Sequence, residues 1–236
     1  NAKFKLIQGQ SKNNYAFIER KNYILNSLVK KNKVKSKIFG VNYAKYRKYN
    51  KLITNDYFKN KSNINNLSFI FALSKIFKLN SKKIVKVANK FEQLDFRQQI
   101  IYKSKKLTII NDSKSTSFSS TLPLLESFQN IYWILGGMAK KGDKLKLKKK
   151  NFKKIKAFIY GKDQLFFSKI LSNKVKYKIS KNLNHSLLLV FKELKKIKEQ
   201  KKVILFSPSA ASFDQFKNFE ERGNEFKKLI KKIDHE

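Results

Sequence analysis

The chain has no cysteine and only two histidines, His185 and His235. The absence of cysteine excludes disulfides, thiolate catalysis and zinc sites built from Cys ligands. Two histidines are too few for a metal cluster built from His ligands. These two shortages rule out whole classes of catalytic and metal site.

Glycine motifs that bind nucleotides are also missing. The seven glycines of the chain do not form a Gly-x-Gly-x-x-Gly after any strand, so a dinucleotide cofactor is not indicated. No Gly-rich phosphate loop ending in Lys-Ser/Thr occurs either. The sequence contains no run of about 18 uncharged apolar residues, so it predicts no membrane span. Because residues 1–3 include neither an initiator Met nor an apolar signal segment, we expect a cytosolic bacterial protein that is a piece of something longer.

Acidic residues are scarce, and the formal net charge is +39. Such a charge favours binding to nucleic acid or to another anionic surface. Only four of the 55 basic residues are arginines, however, and nucleic-acid readers favour arginine for bidentate and stacked contacts. The lysines are spread along the whole chain and form no single stripe. We interpret the charge as compositional bias on a solvated surface and expect no specific nucleic acid, with a basic nucleic-acid-binding module as the alternative function.

The later part of the sequence alternates strands and helices. Apolar and β-branched runs predict six strands, at 99–103, 107–111, 132–135, 157–160, 175–179 and 203–206. Helical patterns follow at roughly 119–128, 163–172, 183–199 and 214–232. This alternation predicts an α/β fold with a mostly parallel sheet. Because ligands of such sheets bind at the carboxyl ends of the strands, the turns at 112, 136 and 207 are expected to share one edge.

The earlier part predicts fewer regular elements. Strands are expected at 15–19 and 36–41, and the end of a helix at 3–7. Two further helices are predicted at 67–77 and 81–91, the second capped by Ser81.

Three polar turns follow predicted strands. Residues 111–116, Asn-Asp-Ser-Lys-Ser-Thr, place a carboxylate, an ammonium and hydroxyls on one turn. Residues 135–143 contain two adjacent glycines, which let the backbone come close to a ligand, and Lys140. Residues 207–219 carry short hydroxyl side chains ahead of a predicted helix, where a carboxylate or phosphate could bind. For the first and third turns an ordinary polar loop or helix cap, by Ser212 or Asp214 in the third, is the alternative.

These motifs resemble those of the MurD-type Mur ligases, the UDP-N-acetylmuramoyl-L-alanine:D-glutamate ligases. Residues 207–223 are similar to the family's Ser-Pro-x-x-Ala-Ser-x-Asp-Gln-Phe-x-x-[Phe/Tyr]-x-x-Arg-Gly, and the other two turns to Asn-Asp-Ser-Lys-[Ala/Ser]-Thr and Leu-Gly-Gly-x-x-Lys-x-x-Asp. The resemblance implies that Asp112 and Lys114 face ATP. It implies that D-glutamate is held by Thr116, Lys140, Ser212 and the backbone N–H of Phe219. The spacing of Phe213, Phe216 and Phe219 predicts an aromatic stripe in the core.

Four residues nearer the start also match the family. Asn63 and Asn66, expected just ahead of the helix at 67–77, match the asparagines of His-Asn-x-x-Asn that approach the adenine of ATP, although Ser62 replaces the His. Two asparagines of a helix cap region are the alternative. Arg97 matches the arginine of Leu-Pro-His-Arg, which approaches the nucleotide, although Asp95 and Phe96 depart from that motif. Lys3 resembles the lysine whose carbamylated form helps position Mg²⁺, since carbamylation creates an oxygen ligand suited to a hard cation.

The resemblance implies a domain organisation and a reaction. Residues 94–236 would form a C-terminal Rossmann-like domain with a six-stranded sheet, and residues 1–93 the tail of a P-loop-type central ATPase domain. The implied enzyme uses ATP and Mg²⁺ to add D-glutamate to UDP-N-acetylmuramoyl-L-alanine in peptidoglycan precursor synthesis. We expect a monomer that is inactive by itself, because the phosphate loop and the UDP-binding domain are missing. A Mur-type ligase for another amino acid is the nearer alternative.

Overall fold

A computed structural model describes residues 2–195 and 201–233, which form two compact units divided between Phe91 and Glu92. The elements of the first unit are α1 Ala2–Gln8, β1 Tyr15–Glu19, α2 Tyr23–Lys31, β2 Lys37–Val41, α3 Arg47–Asn50, α4 Lys61–Ile76 and α5 Ser81–Lys90. Strands β1 and β2 pair in parallel. No helix in the described part of the chain is long and apolar enough to cross a membrane.

Helix α4 begins earlier than the sequence predicted. The side chain of Asn60 accepts a hydrogen bond from the Asn63 N–H and caps the helix, so Asn63 and Asn66 lie inside its first turns and not ahead of it. Helix α5 is likewise capped by Asn80, and the prediction that Ser81 is the cap was wrong. In both helices, an asparagine upstream of the residue expected to start or cap the helix accepts a hydrogen bond from an N–H of the first turn.

The second unit contains β3 Gln99–Lys103, β4 Leu107–Asn111, α6 Phe118–Ser127, β5 Ile131–Gly136, α7 Lys149–Phe152, β6 Ile155–Tyr160, α8 Gln164–Leu171, β7 Lys176–Ile179, α9 Leu183–Leu194, β8 Lys202–Phe206 and α10 Phe219–Ile233. The six strands form one sheet in the order β3-β4-β8-β5-β6-β7. Only the edge strand β3 runs antiparallel to its neighbour. The predicted α/β fold with a mostly parallel six-stranded sheet is confirmed. The end of the helix predicted at 183–199 lies outside the described residues.

Helices cover both faces of this sheet. Ile131, Trp133 and Leu135 of β5 belong to a core cluster shared with α6 and α8. Tyr132 and Ile134, which alternate with them, belong to a second cluster shared with α9 and α10. A strand buried on both faces is apolar throughout its length, which explains why the central strands were recognisable as continuous apolar runs.

Candidate active site

The three polar turns lie at one edge of the sheet. Strands β4, β8 and β5 are consecutive neighbours and parallel, so their carboxyl ends, at Asn111, Phe206 and Gly136, point the same way. The expectation that the turns at 112, 136 and 207 share an edge is confirmed. The crevice at the carboxyl ends of parallel strands is where ligands bind in such folds.

Hydrogen bonds tie the three turns to one another. Met138 and Ala211 exchange backbone hydrogen bonds of 3.0 and 2.9 Å, which join the second turn to the third. The Asp143 carboxylate accepts a hydrogen bond of 2.7 Å from the Phe118 N–H, which joins the second turn to the start of α6. At Gly137, an added Cβ would stand 2.4 Å from the Ala211 carbonyl oxygen, so the close approach of these two turns requires glycine.

A chain of buried hydroxyls connects the first turn to the third. The Ser207 hydroxyl donates to Asp112 Oδ2 at 2.6 Å. The Thr121 hydroxyl of α6 lies 2.7 Å from the hydroxyls of Ser207, Ser209 and Ser115. Thr121 is therefore the centre of the network, and no local pattern in the sequence pointed to it.

Asp112 lies inside this network and not on the surface. Its Oδ1 accepts the Gln98 N–H at 3.0 Å, so both carboxylate oxygens are hydrogen-bonded to the protein. Burial raises the pKa of Asp112 to about 7, although hydrogen bonds from Ser207 and Gln98 and the positive charges of Arg97 and Arg222 act in the opposite direction. Asp112 is thus a carboxyl group that titrates near neutral pH.

The other candidate side chains lie around the same turns with different exposure. Thr116, Lys140 and Lys114 are exposed, whereas Ser212 is buried. The Lys114 ammonium stands 4.0 Å from the centroid of the Phe219 ring, a cation–π contact between the first turn and the start of α10. As the first residue of α10, Phe219 has an N–H with no acceptor inside the helix, which suits an anion.

Helix α10 begins at Phe219 and not near residue 214 as predicted. The Asn218 side chain accepts the Glu221 N–H at 2.8 Å, while Asp214 Oδ2 accepts the Lys162 N–H at 3.0 Å and so fastens the loop to the end of β6. Phe213 is 70% exposed in that loop, which contradicts its place in the predicted core stripe. Ser212 and Asp214 suit a loop as well as a helix cap, and here both lie in the loop before α10.

Three curated relatives with similar sequences carry one name. The chain is 37% identical to the UDP-N-acetylmuramoylalanine--D-glutamate ligase of Rickettsia prowazekii, over 77% of this chain and 41% of the relative. It is 38% identical to the enzyme of that name from Wolbachia sp. subsp. Brugia malayi, over 73% of this chain and 34% of the relative. For Buchnera aphidicola subsp. Schizaphis graminum the identity is 34%, over 87% of this chain and 52% of the relative.

The chain is a relative of the MurD-type Mur ligases. It matches about two fifths of the length of the first of these relatives. No protein-family model matches it.

Solved structures support the fold. The MurF ligase of Thermotoga maritima, solved in complex with ADP, has a TM-score of 0.59 over 98% of this chain and 57% of its own, at 13% identity. MurF from Acinetobacter baumannii has a TM-score of 0.51 over 73% of this chain and 38% of its own, at 15% identity. At such identities the similarity concerns the fold alone.

The segment that resembles the Mur ligase Leu-Pro-His-Arg motif is docked on α10. Phe96, which replaces the family's His, is buried, and an added Cβ at Gly223 would stand 2.2 Å from its ring. Lys227 makes an ion pair of 2.8 Å with Asp95. Both departures from the motif therefore have packing partners in this chain, and Arg97, the next residue, is exposed.

In the first unit, the two asparagines of the Mur ligase motif have different surroundings. Asn63 is buried, and its amide donates to the Tyr57 carbonyl at 2.8 Å. Asn66 is exposed and lines a groove of about 760 Å³ between α4 and α5, whose walls are mainly apolar and include Phe58 and Phe91. Asn63 lies at the same groove but has a structural hydrogen bond as well.

The Mg²⁺ expectation depends on Lys3 alone. Lys3 lies in α1, and its side chain is outside the described residues. Within residues 2–195 and 201–233, no group of three or more His, Cys, Asp or Glu side chains could hold a metal ion. The described residues do not by themselves form a Mg²⁺ site, and we derive no chemical step through the metal.

Proposed function

We propose that this chain is part of an ATP-dependent ligase that joins D-glutamate to UDP-N-acetylmuramoyl-L-alanine. The observation that carries the proposal is the joining of three turns, 112–116, 137–143 and 207–219, at the carboxyl edge of one sheet. Residues 94–236 would be the domain that binds D-glutamate, and residues 1–93 part of the domain that binds ATP. The enzyme would work as a monomer in the bacterial cytoplasm.

The chemistry of the turns suits a dicarboxylic amino acid. The exposed Lys140 ammonium would pair with the α-carboxylate of D-glutamate. The Ser212 hydroxyl and the backbone N–H of Phe219 would bind its side-chain carboxylate, with Thr116 beside them. Because hydrogen bonds between turns fix these groups before the ligand arrives, binding would need little rearrangement.

Each unit has residues suited to a different part of a nucleotide, and each set is considered by itself. Arg97 and Lys114 would approach the phosphates, for which a guanidinium and an ammonium are suited. Asn66, Asn63 and the aromatic walls of their groove would take the adenine. We propose that Asp112 holds the first turn, 112–116, in place and does not bind the nucleotide directly, because both of its oxygens are already hydrogen-bonded.

The reaction would proceed in two steps. The alanyl carboxylate of the UDP substrate attacks the γ-phosphorus of ATP, which forms an acyl phosphate and releases ADP. The D-glutamate amine then attacks the acyl carbon, loses a proton, and expels phosphate to give the amide. Residues of this chain would contribute by orienting the amine toward the acyl carbon and by stabilising negative charge on the transferred phosphoryl group. A Mg²⁺ ion, when bound, would neutralise further charge on the phosphates.

Two measurements test the proposal. Isothermal titration calorimetry of this chain should detect D-glutamate and should detect L-glutamate more weakly. Equal binding of both enantiomers, or preference for a different amino acid, would favour a Mur-type ligase of other specificity. A phosphate-release assay with ATP, the UDP substrate and D-glutamate should show no turnover by this chain alone, and turnover would refute its predicted inactivity.

A further inference from the structure

The side chain of Arg222 is buried beneath the three turns. Only 1% of the residue is exposed, although it carries a guanidinium. Its Nη2 donates to the Ser113 carbonyl at 2.6 Å and to the Ala210 carbonyl at 3.0 Å, and its Nε donates to the Ser113 hydroxyl at 3.1 Å. A single side chain of α10 therefore contacts the first and the third turn together.

The two peptide groups that Arg222 holds are themselves connected to other segments. The N–H of the Ser113–Lys114 peptide belongs to Lys114 and donates to the Phe96 carbonyl at 3.0 Å. The N–H of the Ala210–Ala211 peptide belongs to Ala211 and donates to the Met138 carbonyl at 2.9 Å. Arg222 holds the carbonyls of these two peptides, and their N–H groups hold the Phe96 segment and the second turn. Arg222 therefore helps to fix both of those segments as well.

Arg222 also fixes the start of its own helix through Ser113. The Ser113 hydroxyl accepts from Arg222 Nε and donates to the Phe219 carbonyl at 2.8 Å. Phe219 is the residue whose N–H is proposed to bind the ligand. The orientation of that first helical residue is therefore coupled to the same guanidinium.

The charge of Arg222 is not neutralised by a direct ion pair. Within the described part of the chain its hydrogen-bond acceptors are two carbonyls and the Ser113 hydroxyl, and the Tyr160 hydroxyl also interacts with the guanidinium; all of these groups are uncharged. The titratable groups near Arg222 are Tyr160, Asp214 and Asp112. Arg97 is a further charged group near Asp112. Burial of a cation without a carboxylate partner is costly, and buried charged groups of this kind cluster at functional sites.

We infer that Arg222 is the positioning residue of the amino-acid pocket, which holds the peptides at 113–114 and 210–211 in place and supplies positive potential for a dicarboxylate. The inference rests on the proposed function for the identity of the ligand. Arg222 does not need to touch the ligand. It acts through Phe219, through the two held peptides and through its charge.

The test compares R222M, R222K and a control on the same helix, F226L, which removes core packing from a side chain that lies in the core between α10 and the sheet. D-glutamate affinity is measured by calorimetry at temperatures where each variant is folded by circular dichroism. We expect R222M to weaken binding at least tenfold, since hydrogen bonds from a charged group to the turns are lost. R222K, which keeps the charge, should weaken it less, and F226L should leave the affinity unchanged. Unchanged affinity in R222M, or in R222K if R222M does not fold, would overturn the inference.

Amide hydrogen exchange separates this inference from the proposed function. The Lys114 and Ala211 amides should exchange faster in R222M or R222K than in the unsubstituted chain, and should not do so in F226L. If the unsubstituted chain binds no D-glutamate, the proposed function fails, and the exchange rates alone decide whether Arg222 holds the turns. Exchange at both amides equal to that of the unsubstituted chain would overturn the positioning role.

Discussion

At the scale of single residues, the hydroxyl network around Thr121 has one consistent arrangement of protons when Asp112 is ionised. Ser207 then donates to Asp112, Thr121 donates to Ser207, and Ser209 and Ser115 both donate to Thr121. Every hydroxyl proton is used once. Such a buried network stabilises a single arrangement of the turns only while all of its members are present.

Replacement of Thr121 by Val should destabilise the chain by about 1–3 kcal/mol, because three buried hydroxyls lose a partner while the side-chain volume is kept. Urea unfolding followed by circular dichroism measures the change. Thr108→Val is the matched control, since Thr108 is also buried but lies on β4 outside the network. Equal losses in the free energy of unfolding of the two variants would show that the network adds no stability beyond that of a single buried threonine hydroxyl.

Asp112 makes a pH-dependent contribution to stability whose sign follows from its raised pKa. The folded value is about 7 and the ordinary value is 3.8, so between these values the folded chain keeps a proton that the unfolded chain has lost. The contribution is fully present below pH 3.8 and is lost as pH rises through about 7. The free energy of unfolding of the unsubstituted chain, minus that of D112N, should therefore fall from pH 4 to pH 7. A difference that rises with pH in that window would contradict the assignment.

At the scale of elements, α10 holds the segment 94–98 by close contact. Gly223 leaves room for the Phe96 ring, and an added methyl group would overlap it. The Lys227 ammonium stands over the same ring, 4.6 Å from its centroid. The segment that carries Arg97 is thus fixed by a helix that begins at the proposed pocket.

Gly223→Ala should destabilise the second unit by about 1–3 kcal/mol through this overlap. Adding Phe96→Leu to the Gly223→Ala variant should recover part of the loss, since the smaller side chain relieves the clash. The coupling is measured by unfolding the two single variants and the double variant in urea. Strictly additive losses would mean that the helix and the segment do not meet in solution as described.

The strands of the second unit could be predicted closely, and the loops could not. Runs such as Val203 to Phe206 are buried on both faces, so burial and β-propensity give the same answer. The start of α10 was predicted too early because Ser212 and Asp214 are equally good caps and loop residues. For the same reason, α4 starts at Lys61 after the Asn60 cap, and Asn80, not Ser81, caps α5.

The edge of the sheet that carries the candidate site could be predicted, but not every residue that builds it. The turns at 112, 136 and 207 were placed at one edge from the strand pattern alone, and the topology agrees. Thr121 could not be assigned, because nothing local distinguishes a threonine inside a helix. Arg222 matches the arginine of the motif at 207–223, but the motif shows neither its burial nor the peptides that it holds. Their roles depend on partners about 90 to 110 residues away in the chain.

At the scale of the whole molecule, the charge of +39 predicts weak attraction to any polyanion. Because counterion release dominates such binding, affinity for duplex DNA should fall steeply between low and physiological salt and should not depend on sequence. Filter binding with two unrelated duplexes at two salt concentrations measures both properties. Sequence-dependent binding that persists at physiological salt would favour the nucleic-acid-binding alternative over the ligase.

The central claim is that three turns of the second unit form one pocket for a dicarboxylic amino acid. A titration of the ¹⁵N-labelled chain with D-glutamate, followed by two-dimensional NMR, tests this claim most directly. We predict that the amide signals of Thr116, Lys140, Ser212 and Phe219 shift together along one saturation curve, with much smaller shifts for L-glutamate at the same concentration. Shifts confined to one turn, shifts spread over the lysine-rich surface alike for both enantiomers, or no shifts at all would contradict it.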